Sequence, residues 1–218
     1  MSENRFIETG LQFFGTVNAS VSHEIKNRMA VINEQAGLLK DLVALAEKGN
    51  DLSLERLKRL AEALKTQVAL TDAIIRNMNR FAHSVDSFLI SIDICDLLTL
   101  TVALAKRIAD NRGVHIETRL PSSSFSLKTA PFFLMHLVWQ CLEAMMDLGT
   151  SAHTVLVECA KNEGGAQICF STDGVSGPAE NTLSDSALEL ASAIQAVVAF
   201  DEKKNRIRIE LPDRMQSF

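Results

Sequence analysis

From Leu11 to Ala46 the chain repeats a pattern in steps of three and four: Leu11, Phe14, Asn18, Val21, Ile25, Arg28, Ile32, Gln35, Leu39, Leu42, Ala46. Such alternation is the seam of a heptad helix, and no proline interrupts it, so this stretch predicts one long amphipathic helix. Three of the eleven positions are polar, but Met29, Ala36 and Leu38 widen the stripe beside them, as in a bundle helix. The run closes on Glu47-Lys48-Gly49-Asn50-Asp51, a glycine within a polar turn. A second run, Leu57, Ala61, Leu64, Val68, Thr71, Ile75, Met78, Ala82, repeats the alternation, with Ser53 or Asp51 as its cap. Two such helices joined by a short loop make an antiparallel hairpin. One hairpin cannot cover both stripes, so pairing with a second copy into a four-helix bundle, a homodimer, is expected.

The register places one histidine. With Asn18 and Ile25 at a and Val21 at d, His23 falls at f, the outermost position. Glu24 then falls at g, and Asn27 at c lies one helical turn after His23. Imidazole is a competent nucleophile near neutral pH because much of it is unprotonated there. A neighbouring carboxylate can orient one ring nitrogen and leave the other free to attack. An f-position histidine is more often plain solvated surface, and geometry alone leaves the two readings open.

Composition narrows the class. A net charge of −5 with no Lys/Arg-rich stripe argues against a nucleic-acid binder. Cys95, Cys141, Cys159 and Cys169 lie far apart among apolar neighbours, which suggests buried thiols rather than a zinc site or a disulfide framework. The start, Met-Ser-Glu-Asn-Arg-Phe, lacks a signal-peptide pattern. The most apolar stretch, Phe88 to Ile108, is broken by Asp93, Asp96, Lys106 and Arg107. A cytoplasmic protein without membrane insertion is expected.

After about residue 88 the pattern shortens. Asp93 to Asn111 reads as a helix stopped by Gly113, Val114 to Thr118 as a strand, and Pro121 to Ser124 as a loop. Pro131 to Leu148 reads as a second helix, with proline suited to its first turn. Val155–Cys159 and Ala166–Phe170 flank Asn162-Glu163-Gly164-Gly165, a hairpin signal. Ser186 to Phe200 reads as a third helix and Arg206 to Leu211 as a final strand. The order suits an α+β sandwich, helices on one face of a mixed sheet, and gives a hairpin domain over residues 1–87 and a sandwich domain over 88–218. His83, His115 and His153 read as surface or structural groups, His136 and Trp139 as core, and Phe14 as core, with Phe13 open between core and a landing patch.

Ser22-His23-Glu24-Ile25-Lys26-Asn27 resembles the H-box of the dimerisation and histidine-phosphotransfer domain of bacterial sensor histidine kinases, over about residues 11–83. The resemblance implies that His23 is the phosphoacceptor, that Glu24 assists as base and orienting group, and that Asn27 places water for dephosphorylation. Members of that family usually carry proline after the Asn; this chain has Arg28, which implies a straighter helix.

The second half is similar in element order to the ATP-binding domain of the same kinases, with its motifs degraded. Glu143 stands where an Asn holds magnesium, and Trp139 where a second Asn is usual. Asp173, Gly174 and Gly177 are out-of-register remnants of the adenine-reading Asp-x-Gly-x-Gly, although a turn Asp before Gly is the blander reading. The lid, about Pro178 to Leu183, is short. Ser184 to Leu190 has no glycine and places two carboxylates where phosphate would meet a helix N-terminus. The resemblance therefore implies a histidine phosphotransferase of two-component signalling. His23 would relay a phosphoryl group between response-regulator receivers, no cofactor would be bound stably, ATP is not expected, and the receiver would supply Mg2+. A divergent ATP-dependent sensor histidine kinase and a non-catalytic dimeric adaptor binding a receiver or sensor are the alternatives.

Overall fold

The structure is a computed structural model that describes residues 3–148, 152–172, 183–201, 205–213 and 215. By packing, the chain divides into Asn18–Arg80 and a second unit made of Met1–Val17 with Phe81–Phe218.

The first unit is the helical hairpin that the two seams predict. Its helices belong to α1 (Glu3–Glu47) and α2 (Leu54–Ala82). Helix α1 ends where expected: Gly49 takes φ +86°, and the Gly49 and Asn50 amides donate to Ala46 and Leu45 carbonyls. This left-handed glycine cap satisfies carbonyls that the last turn would otherwise leave bare. Ser53 rather than Asp51 opens α2, its Oγ accepting from the Arg56 amide at 3.4 Å. Val21, Leu42 and Thr71 of the seams are buried, as is Leu60 beside them, whereas Leu39, Val68 and Ile75 of the seams are exposed. Thr71 is tolerated because its hydroxyl donates to the Gln67 carbonyl at 2.8 Å.

The second unit is the α+β sandwich. In order it holds β1 (Ile90–Asp93), α3 (Ile94–Asn111), β2 (Val114–Arg119), β3 (Ser126–Thr129), α4 (Pro131–Asp147), β4 (His153–Asn162), β5 (Gly165–Thr172), α5 (Asp185–Ala193), β6 (Val197–Asp201) and β7 (Arg206–Pro212). The main sheet runs β2-β4-β5-β7-β6; β2 and β4 are parallel and the other pairs antiparallel. One face of the sheet buries Val155, Val157, Ile168, Phe170, Ile207 and Ile209. Helix α4, buried over most of its circumference, belongs to this core.

Several boundaries follow from local chemistry. The Asp93 carboxylate accepts from the Asp96 amide at 3.0 Å and caps α3, and that bond holds its pKa below the ordinary value. Gly113, at φ +69°, ends the helix, and Pro131 opens α4. At Gly165, φ +143° and the Leu211 carbonyl oxygen together leave no room for a Cβ.

Two expectations need correction, and one pair of strands is new. Ser186–Phe200 is not one helix: α5 stops at Ala193, Gln195 takes φ +57°, and Val197–Asp201 becomes an edge strand. A β-branched pair beside a left-handed turn is better placed at a sheet edge than in a helix. Strands β1 and β3, which the sequence pattern does not mark, form a two-stranded antiparallel ribbon. Finally, Phe13 rather than Phe14 is the fully buried ring.

Candidate functional site

Continuous helix carries His23, Glu24 and Asn27 on α1. His23 and Asn27 are exposed, and neither has a hydrogen-bond or ion-pair partner among the described residues. Glu24 is half-buried and engages Arg28, not His23: its Oε1 lies 3.7 Å from Arg28 Nη2. Arg28 Nη1 also donates to Gln67 Oε1 on α2 at 3.4 Å. A Glu preceding an Arg by four residues is the favourable orientation of a helical ion pair, so this partner was readable from the sequence. Gln67 was not, since it depends on how the helices register. An exposed imidazole held by nothing has a lone pair available to an electrophile approaching from solvent.

The face of α4 that carries the expected magnesium position belongs to the sandwich unit. There His136, Trp139, Gln140 and Glu143 line a cleft of about 470 Å³ with Ser184 and Ser186 at the start of α5. Phe13, from the first turns of α1, lies flat on His136, with ring centroids 4.5 Å apart and planes 2° from parallel. Trp139, Phe132 and Phe81 surround Phe13 at 5.4–5.5 Å. Gln140 ties the cleft together. Its Nε2 donates to His136 Nε2 and to Ser186 Oγ, both at 3.0 Å, and its Oε1 accepts from Ser184 Oγ at 3.0 Å. In this arrangement His136 Nε2 accepts and Nδ1 carries the proton. Burial lowers the imidazole pKa to about 4, which keeps the ring neutral at neutral pH. Burial pushes the Glu143 carboxyl up, against the Trp139 indole and the Arg112 guanidinium, while the Asp147 carboxylate adds to the rise. Sequence reasoning placed His136 and Trp139 in the core but did not find the Gln140–Ser184–Ser186 links, which join residues more than forty positions apart.

Asp173, Gly174, Gly177 and the lid residues up to 182 lie outside the described residues. His153 Nε2 donates to the Met145 carbonyl at 3.1 Å and His83 Nδ1 meets Asp86 Oδ2 at 2.7 Å, so both serve local structure. Among the described residues, no cluster of three metal-ligating side chains occurs, and no helix is long and apolar enough to cross a membrane.

No protein-family model matches the sequence, and no curated protein matches it. Solved structures do. The catalytic domain of histidine kinase ThkA, in a nucleotide-free form, matches 59% of this chain and 99% of its own, with a TM-score of 0.51 at 7% identity. Acinetobacter baumannii histidine kinase AdeS matches 88% of this chain and 98% of its own, with a TM-score of 0.49 at 9% identity. A bacterial phosphotransferase matches 91% and 95%, with a TM-score of 0.45 at 11% identity. The ThkA likeness shows that the sandwich has the fold of a histidine-kinase catalytic domain; in this chain two long helices precede it.

Proposed function

We propose that this chain is a dimeric histidine phosphotransferase of two-component signalling, which moves a phosphoryl group between response-regulator receivers through His23. The observation that carries the reading is an exposed imidazole, without a partner among the described residues, one turn before Asn27 on an unbroken helix. In the first half-reaction a ring-nitrogen lone pair attacks the phosphorus of a receiver's aspartyl phosphate. An N–P bond forms, the acyl P–O bond breaks, and the receiver regains its carboxylate. The second half-reaction is the reverse, onto another receiver. The attacking nitrogen needs no deprotonation, because the other ring nitrogen keeps the proton. Positioning and electrostatics do most of the remaining chemistry, with Mg2+ supplied by the receiver.

Two further observations support the reading. The α4 cleft is a poor fit for a magnesium nucleotide. Gln140 is committed to His136 and to the two serines that open α5, Phe13 covers the His136 ring, and Glu143 is a partly desolvated carboxyl. Asp185, in the first turn of α5, adds negative charge where phosphates would have to meet the helix start. A relay fed by aspartyl phosphate needs no nucleotide. The exposed Leu39, Val68 and Ile75 leave part of the hairpin seam uncovered, as pairing with a second copy would require.

The test is direct. Wild-type protein mixed with a phosphorylated receiver is expected to gain acid-labile label, and His23→Ala to gain none. Wild type that takes up no label overturns the proposal. Micromolar binding of ATP with magnesium, measured by calorimetry, would instead favour an autophosphorylating kinase.

A further inference from the structure

Arg28 occupies the most unexpected position near His23, and its contacts give it a job. Its guanidinium reaches in two directions: to Glu24 on its own helix at 3.7 Å and to Gln67 on α2 at 3.4 Å. Both Arg28 and Glu24 are about one-third exposed at the side chain, so the pair is neither dry nor freely solvated. Arginine suits this because its planar fork can serve two acceptors at once. Residue 24 lies beside His23 and is the nearest carboxylate in sequence, yet its Oε1 meets Arg28, whose other nitrogen bonds Gln67 on α2. His23 itself has no partner among the described residues.

We infer that Arg28 is a positioning residue that holds the Glu24 carboxylate on Gln67's side of the helix and so keeps it off the His23 imidazole. The inference rests on the reading of His23 as phosphoacceptor and names what tunes it. A carboxylate bonded to imidazole stabilises the imidazolium and steers one ring nitrogen; a carboxylate neutralised by a guanidinium does neither. With Arg28 in place, His23 meets its phosphoryl donor as an unassisted imidazole. Removing Arg28 frees Glu24 to engage it. The other charged groups at this level are Lys26 on α1 and, by the register that the Arg28–Gln67 contact sets, the mutually paired Asp72 and Arg76 on α2. These stay unchanged in every variant of the cycle.

The experiment is a double-mutant cycle read on His23 by NMR titration of full-length protein with labelled histidine, assigned with His23→Ala. If Arg28 acts by restraining Glu24, Arg28→Ala moves the measured His23 midpoint upward when Glu24 is present and by less than half as much in Glu24→Gln. If Arg28 acts only through its own charge, the two rises are equal, and the inference is overturned; so it is if neither background shifts. Arg28→Gln, which keeps a long polar side chain for Gln67, is expected to behave as Arg28→Ala and guards against a folding artefact. In the receiver assay, Arg28→Ala is expected to quicken label uptake roughly threefold with Glu24 present and not with Gln at position 24. Coupling in the titration without that change in uptake overturns the claim that the pair tunes acceptance. The titration needs no phosphoryl donor, so it judges the placement of Glu24 even where wild type takes up no label and the relay reading fails.

Discussion

Two histidines divide this molecule. His23 in the hairpin is exposed and unpartnered among the described residues, while the carboxylate next to it in sequence is held by an arginine. His136 in the sandwich is buried, stacked under Phe13 and bonded to Gln140. The same ring is thus given opposite environments, and under the proposed relay the difference separates chemistry from architecture. A group that reacts with an incoming protein must keep its lone pair in solvent. One that serves packing is desolvated, even at the expense of its basicity.

The sharpest way to break that contrast is His23→Ala. It is expected to abolish label uptake while changing unfolding free energy by no more than about 0.5 kcal/mol, checked by denaturant melts. If stability falls by several kcal/mol, His23 is architecture after all. The converse test is Phe13→Ala, expected to cost about 3–5 kcal/mol in the same melts, because a buried aromatic leaves a cavity among four other rings. Gly165→Ala is expected to cost on the order of 3 kcal/mol, since no side chain fits between β5 and the Leu211 carbonyl at that φ.

Acid gives the most specific effect. The unfolded His136 imidazole binds its proton near the ordinary 6.5 and the folded one only near about 4. Stability from this group is therefore complete above about pH 6.5 and is lost as pH falls toward 4, by roughly 3 kcal/mol at most. Glu143 works the other way: its raised carboxyl takes up a proton first in the native state, so acid relieves part of the loss. His136→Gln should lower stability at neutral pH and flatten the acid slope. A slope that persists in that variant would place the titrating group elsewhere.

The hairpin was legible in the sequence because a heptad pattern repeated over many turns leaves little choice of period, and because Gly49 and Ser53 mark the turn. The f register likewise put His23 on the surface. Phe13 was not legible as core. A seam calculation assumes that a helix packs on another helix, but this ring packs on α4 of a sandwich. Ribbon strands β1 and β3 are four residues each, too short for alternation to declare itself, and β1 runs straight into an apolar helix. Alanine-rich spacing made Ser186–Phe200 look uniformly helical, yet the break falls on Gln195, whose left-handed φ no local pattern announces. Around the site, Arg28 could have been found from the spacing of charges, whereas the Gln140 network required the tertiary fold.

The cysteines give the sandwich a clock of its own. All four lie in it and none in the hairpin, so thiol labelling reports on one unit and is blind to the other. Burial raises the Cys141 thiol far above its ordinary value and pushes Cys159 up to about 12, which leaves almost no thiolate to react while that unit is closed. Half-buried Cys95 should be modified first and the others only as the sheet opens. The order of alkylation would then time the opening of the sandwich without a probe being added to the chain.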